Sequence, residues 1–439
     1  MDNFLKLHRR YQSLFTLKTK SVAKQAQHYL CGLMQAHNAN MERMVEVVAD
    51  SDWESVQHFI SDSPWEHQPI LNQIARDANR LVGGHADSYL IIDESAFSKK
   101  GHRSVGVARQ WNGRLGKVDH CQVGVFAALG CHDKVTLTDL RLYLPQEWTD
   151  DKARCRKAGI PEQQITYRSK LELALDMITN AKTQGLDFQW VGFDSLYGRS
   201  ADFRQAIDDL GITYVADIPK DTFIYTEDPK PFLPAITSSK GKKPKRLQTK
   251  VKPIRVEQWL AQQPESAFKT ITIRNGTKGP LVAKFLHQIV WMWDGKSKEA
   301  QQVHLIARVD GRSKNTHKYS LSNAPLDTPL QRLAQMQAQR YWVERALQDA
   351  KSQVGMADYQ IQGWKAWHHH MTMVLLAMLF ILETKINCHQ SYDILSAADI
   401  KNLLYHFLPK RQISKKEILR QMEIRHRKRK KDMQLHLKS

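Results

Sequence analysis

Asp93 closes the apolar run Tyr89-Leu90-Ile91-Ile92, and Asp194 closes Trp190-Val191-Gly192-Phe193. Both runs are short and β-prone, the pattern of strands buried on both faces. A carboxylate at the end of such a strand is held rigidly at a sheet edge. Glu344 lies in the breaker-free stretch 340–351, which has helical character. At about 100° per residue, Arg340, Glu344 and Lys351 share one helical face, offering one carboxylate and two cations. Magnesium prefers hard oxygen ligands and leaves places for water and phosphate. Two such ions activate the attacking oxygen and stabilise the leaving one in phosphodiester cleavage. Three converging acids would meet that need, because a bound cation relieves their mutual repulsion. For any one acid alone, a turn-capping aspartate or a solvated helical Arg–Glu pair is the simpler reading. The three together favour a site for Mg²⁺ or Mn²⁺, with two ions.

These acids need a sheet and a helix to bring them together. Strand grammar begins near residue 86. The run ending at Asp93 is followed by an extended piece over 104–111, the tight-turn pair Asn112-Gly113, a return strand over 117–129 and a further one over 135–144. A helix over 168–184 follows, then the strand ending at Asp194, a helix near 200–210 and a strand over 213–216. Three meandering strands and then alternating helix and strand is an RNase H-like order. The expected fold is α/β, with a mixed sheet flanked by helices. Asp93 and Asp194 should lie on adjacent strands with Glu344 on a helix packed across them. Asp194 and Glu344 have 149 residues between them, too many for a simple crossover. Residues 221–320 hold Pro, Gly and Lys clusters and β-rich runs at 268–274, 282–293 and 303–309, which read as an inserted sheet. Trp291 and Trp293 alternate there and so should face the same side. A tryptophan pair of that kind is more often core.

Certain stretches carry a wider likeness. They are IIDESAFSKKGHRSVGVARQW around Asp93, LYLPQEWTDDKARCRKAGIP at 142–161, VGFDSLYG around Asp194, KYSLSNAP at 318–325, and the helix with Arg340, Glu344 and Lys351. In these, and in their order from about residue 10 to about residue 400, the chain resembles the DDE transposases of bacterial insertion sequences. It is most similar to the group whose RNase H-like core carries a strand-rich insertion between the second and third acids. That resemblance implies Asp93, Asp194 and Glu344 as a catalytic, metal-holding triad, with Arg340 and Lys351 on phosphates near the cut. It also implies a helical DNA-end-binding domain at the N-terminus, which from the residues alone could equally be a packing bundle. An insertion-domain tryptophan would stack on a base flipped from the element's end, a contact worth roughly 1–3 kcal/mol. One departure is Gln337, where the wider group often has Tyr three residues before the arginine.

Composition agrees with a nucleic-acid partner. A net charge of +20 over 439 residues argues for a polyanion. Residues 240–255 carry eight Lys/Arg and no acid, among them Lys242, Lys243, Lys245 and Arg246; residues 409–439 carry twelve against three acids. Either run alone would ordinarily be solvated and disordered; beside a nuclease-like triad, backbone contact with DNA is the better reading for at least one. Five cysteines without a C-x-x-C pair read as reduced thiols of a cytosolic protein, with no zinc site. His368, His369 and His370 point about 100° apart on a helix, which suits surface or groove histidines better than a shared ion. The apolar run 371–382 is too short to span a bilayer and reads as a core helix. No signal peptide is expected before the polar N-terminus.

The expected organisation is a helical domain over 1–80, the first part of the core over 81–220, a β-rich insertion over 221–320, the second part of the core over 321–405 and a basic tail over 406–439. The expected activity is cleavage of double-stranded DNA at a mobile element's ends and strand transfer into target DNA. The protein would act as a homodimer in the synaptic complex, cytoplasmic and nucleoid-associated, away from membranes. A host-serving nuclease of the same fold, such as a junction resolvase, and a DNA-binding derivative that has lost catalysis stay open; the intact triad counts against the second.

Overall fold

The computed structural model describes residues 2–18, 20–235, 244–276, 279–309, 317–392 and 394–436. The strands of the core are β1 (Ser88–Ser98), β2 (Ala108–Asn112), β3 (Lys117–Cys131), β4 (Lys134–Leu142), β5 (Trp190–Phe193) and β6 (Tyr214–Ile218). β4, β3, β1, β5 and β6 lie side by side in that order. β3 is antiparallel to β4 and β1, whereas β5 runs parallel to β1 and β6 parallel to β5. This is the RNase H-like order read from the sequence. Its parallel part is buried on both faces, as the unbroken apolar runs require: Tyr89 to Ile92 and Trp190 to Phe193 are all buried. β2 begins four residues later than expected, because the 99–107 segment forms a loop ahead of the hairpin.

Two short strands, β7 (Phe223–Ile224) and β8 (Ile254–Arg255), pair with each other. β9 (Lys269–Gly276), β10 (Gly279–Met292) and β11 (Gln301–Val309) coincide with the three β-rich runs of the inserted region, and β12 (His317–Ser322) follows. β12 pairs antiparallel with β6, so the order continues β6-β12-β11-β10-β9 and one ten-stranded sheet results. The inserted strands thus extend the core sheet. They satisfy the outer edge of β6, whose backbone groups would otherwise face an open sheet border.

Against this sheet lies the helix Trp364–Asn387, apolar all round and buried from Ala366 to Leu382. Its length and composition would allow a membrane crossing, but 78% of its apolar window is buried inside the protein. An all-apolar helix needs cover on every side; β4 and the helices His67–Val82, Ala23–Gln35 and Trp53–Ser61 supply it. Most buried residues from Phe4 to Leu408 therefore form one large cluster, and the N-terminal helices share the core of the sheet, while a smaller cluster joins Ile271, Phe285, Ile306 and Leu333. Each Leu or Met buried there contributes about 1.5–3 kcal/mol.

That packing corrects the reading of the histidine triplet. His368, His369 and His370 are buried, not on a surface or groove. His370 meets the Tyr29 hydroxyl through Nδ1 at 2.7 Å, while His369 sits 2.9 Å from the carbonyls of Ile60 and Trp65. Burial lowers all three pKa values, so these are neutral groups pinning the N-terminal helices to the central one. The basic C-terminal run is a helix, Lys415–His436. It is anchored by Arg411, which donates to Val45 O at 3.0 Å, and by Arg425, 3.5 Å from Glu46.

Candidate active site

The register lines up three carboxylates. Ile92 pairs with Phe193, and Phe193 with Ala216. The next residue on each strand is an aspartate: Asp93, Asp194 and Asp217. Neighbouring parallel strands lie about 4.8 Å apart, and residues in register point to the same face. Asp93 on β1 and Asp194, the first residue after the adjacent β5, are therefore side by side, as expected. Asp217 was not anticipated, although Tyr214-Val215-Ala216-Asp217 repeats the same grammar of an apolar run closed by an acid.

Each strand hands its aspartate to a different local device. Asp93 Oδ1 accepts the Glu94 amide at 2.7 Å while β1 runs on to Ser98. β5 ends at Phe193, and Asp194 caps the short helix Ser195–Gly198 by accepting from the Leu196 amide at 2.9 Å. That helix lies tight on β6. A Cβ added at Gly198 would meet the Asp217 carbonyl oxygen at 1.9 Å, so only glycine fits the last position of VGFDSLYG. Asp217 accepts from the Ser320 hydroxyl on β12 at 2.6 Å.

The helical arm comes from Leu330–Gln339 and Tyr341–Gln353, with Arg340 at the junction still in right-handed helical geometry. Arg340 reaches over the row of acids. Its Nε donates to Asp217 at 2.8 Å, its Nη2 to Glu344 at 2.9 Å, and its Nη1 lies 3.8 Å from Asp93. The Arg340–Glu344 contact is the i,i+4 pair that the helix-face argument requires. Lys351 faces the same strand: its Nζ lies 3.4 Å from Ala96 O and 5.2 Å from the centre of the Phe97 ring. Gln337 turns inward, where it is buried and donates to the Ser320 hydroxyl at 2.8 Å. It supports the clamp on Arg340 from behind.

Charge is unevenly shared here. Burial pushes the Asp93 carboxyl up to about 7, against the pull of Arg340 and with help from Asp194 and Glu344. Burial also raises Asp194, with Arg340 opposing. Burial works against the Arg340 charge as well, but Asp217, Asp93, Glu344 and Asp194 outweigh it and hold its pKa above the usual arginine range. Lys351 is lowered to about 8, first by burial and then by Arg114. Four carboxylates around one guanidinium leave a deficit of positive charge, and all their oxygens are hard donors, which suits a divalent cation. Among the described residues, no three acids are gathered closely enough to enclose an ion as they stand. Arg340 occupies the space between them, and like charges have no reason to close further on their own.

The other DNA-binding candidates lie elsewhere. Trp291 and Trp293 are half-buried on and beyond the end of β10. Trp293 donates to Ser297 O at 2.8 Å and has its ring 6.4 Å from that of Tyr225. Lys245 and Arg246 are exposed in the loop before β8; Lys242 and Lys243 lie outside the described residues.

Comparison with known proteins gives the chain a family. The chain is 24% identical to the "Probable transposase for insertion sequence element IS701" of Microchaete diplosiphon over 354 residues, 80% of each chain. Among solved structures, the NurA nuclease from Sulfolobus solfataricus aligns over 75% of this chain and 94% of its own. Its identity is 9% and its TM-score 0.23, too low to carry any argument. The sequence profile of the DDE superfamily endonucleases matches residues 12–280, which contain both Asp93 and Asp194. The likeness read from the sequence and both sequence comparisons lead to one assignment: this chain belongs to the DDE superfamily endonucleases, as a transposase of the insertion-sequence type.

Proposed function

We propose that this enzyme cuts DNA at the ends of a mobile element and joins the freed ends to target DNA, by phosphoryl transfer without a covalent protein intermediate. The observation that carries the reading is the row of Asp93 on β1 and Asp194 at the end of the adjacent parallel β5, with Glu344 and Arg340 brought over it by a helix. Asp93, Asp194 and Glu344 would hold Mg²⁺ or Mn²⁺. When bound, two such ions supply an activated attacking oxygen and a stabilised leaving one. Arg340 would then exchange Glu344 for the scissile phosphate while Asp217 keeps its Nε edge, so the fork arrives already oriented. Lys351, on the same face, would place a second cation against the backbone and offset charge developing in the transition state. The chain would work as a homodimer on paired ends, in the cytoplasm at the nucleoid.

The test uses duplexes carrying the DNA that flanks the coding region, incubated with the full chain and Mg²⁺. The proposal predicts a cut at the element boundary that leaves a 3′-hydroxyl, and joined products when target plasmid is added. Cleavage of branched junctions irrespective of the flanking sequence would identify a host-serving nuclease instead.

A further inference from the structure

The stretch 142–161 supplies none of the acids or cations of the active site, yet it builds the wall of an open cleft of about 520 Å³. The cleft is lined by His102, Arg103, Trp148, Arg154, Lys157 and Gln362 among others. Arg154 is fixed at its floor. Its guanidinium lies 3.8 Å from the centre of the Trp148 ring and donates to the His102 carbonyl at 3.1 Å. Trp148 is itself buried and donates to Val107 O at 2.8 Å. The walls are stitched together as well: Val105 N donates to Gln362 O at 2.8 Å, and Trp364 N to Ala158 O at 2.9 Å. Two nearby acids are engaged elsewhere. Asp151 caps its helix through the Arg154 amide, and Glu162 pairs with Arg156 at 2.6 Å. Among the described residues, none of Arg103, Arg154 and Lys157 has a carboxylate within 4.0 Å. An ordered arginine with two further cations and no counter-ion is a site for an anion, and a planar guanidinium suits phosphate.

The position of the cleft says whose phosphate. β1 runs from Asp93 to Ser98 and leads directly into the loop that carries His102 and Arg103. Five residues of strand cover about 17 Å. A further cation lies along the way: Lys99 sits 3.4 Å from the centre of the Tyr359 ring. Phosphates of one DNA strand are spaced about 3.4 Å apart along the axis. We propose that this cleft binds a backbone phosphate of the element-end duplex about five base pairs from the scissile position, with Arg154 as the oriented fork and Arg103 and Lys157 as its flanking charges. The proposal rests on the DNA-cleaving reading above and adds a second point of grip. Two points on one duplex fix its direction through the active site, which a single contact at the cut cannot do.

The experiment measures binding of the full chain, in Ca²⁺ to hold off cleavage, to two end duplexes. One extends at least ten base pairs or so inside the element, and the other stops about three base pairs from the cut. Arg103 and Lys157 are exposed, so the double variant Arg103→Ala/Lys157→Ala should keep the wild-type melting temperature. It should lose about tenfold or more in affinity for the long duplex and flatten its log-affinity against log-salt slope by about one to two. On the short duplex it should match wild type. Arg103→Lys with Lys157→Arg should restore the slope. Equal losses on both duplexes, or an unchanged slope on the long one, would overturn the proposal. Wild-type chain that bound neither duplex would overturn the DNA reading itself, a distinguishable result.

Discussion

Arg340 donates its Nε–H to Asp217 at 2.8 Å, across 123 residues of chain. Asp217 is itself braced by the Ser320 hydroxyl, and Ser320 by Gln337. These linked hydrogen bonds fix one edge of the guanidinium and leave the other aimed at Glu344 and Asp93. An arginine so held loses little freedom when a phosphate replaces Glu344, which is how positioning contributes to rate.

Asp217→Asn keeps the shape of this clamp and removes its charge. We expect turnover on end DNA to fall about tenfold or more with KM changed far less, because the loss concerns orientation in the transition state. Single-turnover kinetics with folded protein is the check. A lowered melting temperature with unchanged turnover would make Asp217 merely structural.

Asp93 makes the metal-free protein pH-sensitive. Its folded pKa of about 7 exceeds the unfolded value, so its contribution to stability is complete below about pH 4 and is lost as pH rises through about 7. Asp93→Asn escapes that loss. In chelator, the variant should be more stable than wild type at about pH 8, and the advantage should shrink by on the order of 2 kcal/mol towards about pH 5. Mg²⁺ should raise the melting temperature of wild type more than that of the variant. Denaturant titrations across pH decide it; an advantage independent of pH would contradict the assignment.

Much of this site is legible in the chain because its parts are local. The runs ending in Asp93 and Asp194 announce buried strands, and Arg340, Glu344 and Lys351 announce a shared helix face. What is not legible depends on adjacency. Nothing in Tyr214-Val215-Ala216-Asp217 says that β6 lies beside β5, and so Asp217 does not stand out. The inserted strands are legible, but their continuation of the core sheet depends on β12 finding the free edge of β6. The histidine triplet reads as a surface feature because its burial comes from the N-terminal helices, some 300 residues away in sequence.

Gly198→Ala tests the close packing that aligns the row of acids. With a Cβ aimed at the Asp217 carbonyl, the short helix must lift from β6, at a cost of about 1–3 kcal/mol. Cleavage should fall further than this stability loss explains, because both Asp194 and Asp217 shift. A thermal melt beside a cleavage assay separates the two effects.

Truncation after Leu408 removes the basic helix Lys415–His436. If that helix lies against DNA, the truncated chain should show a shallower dependence of affinity on salt, by about 0.9 for each phosphate it no longer neutralises. An unchanged slope would leave the helix as a brace for the N-terminal bundle.

The central claim is that Asp93, Asp194 and Glu344 act together on one phosphodiester. Its most direct test is cleavage of end-bearing duplex in Mg²⁺ by Asp93→Ala, Asp194→Ala and Glu344→Ala, with DNA binding measured in parallel. Each variant should lose cleavage while binding DNA as well as wild type or slightly better, since removing a carboxylate lessens repulsion of the backbone. A variant that still nicks within about tenfold of the wild-type rate would remove that residue from the triad and contradict the account.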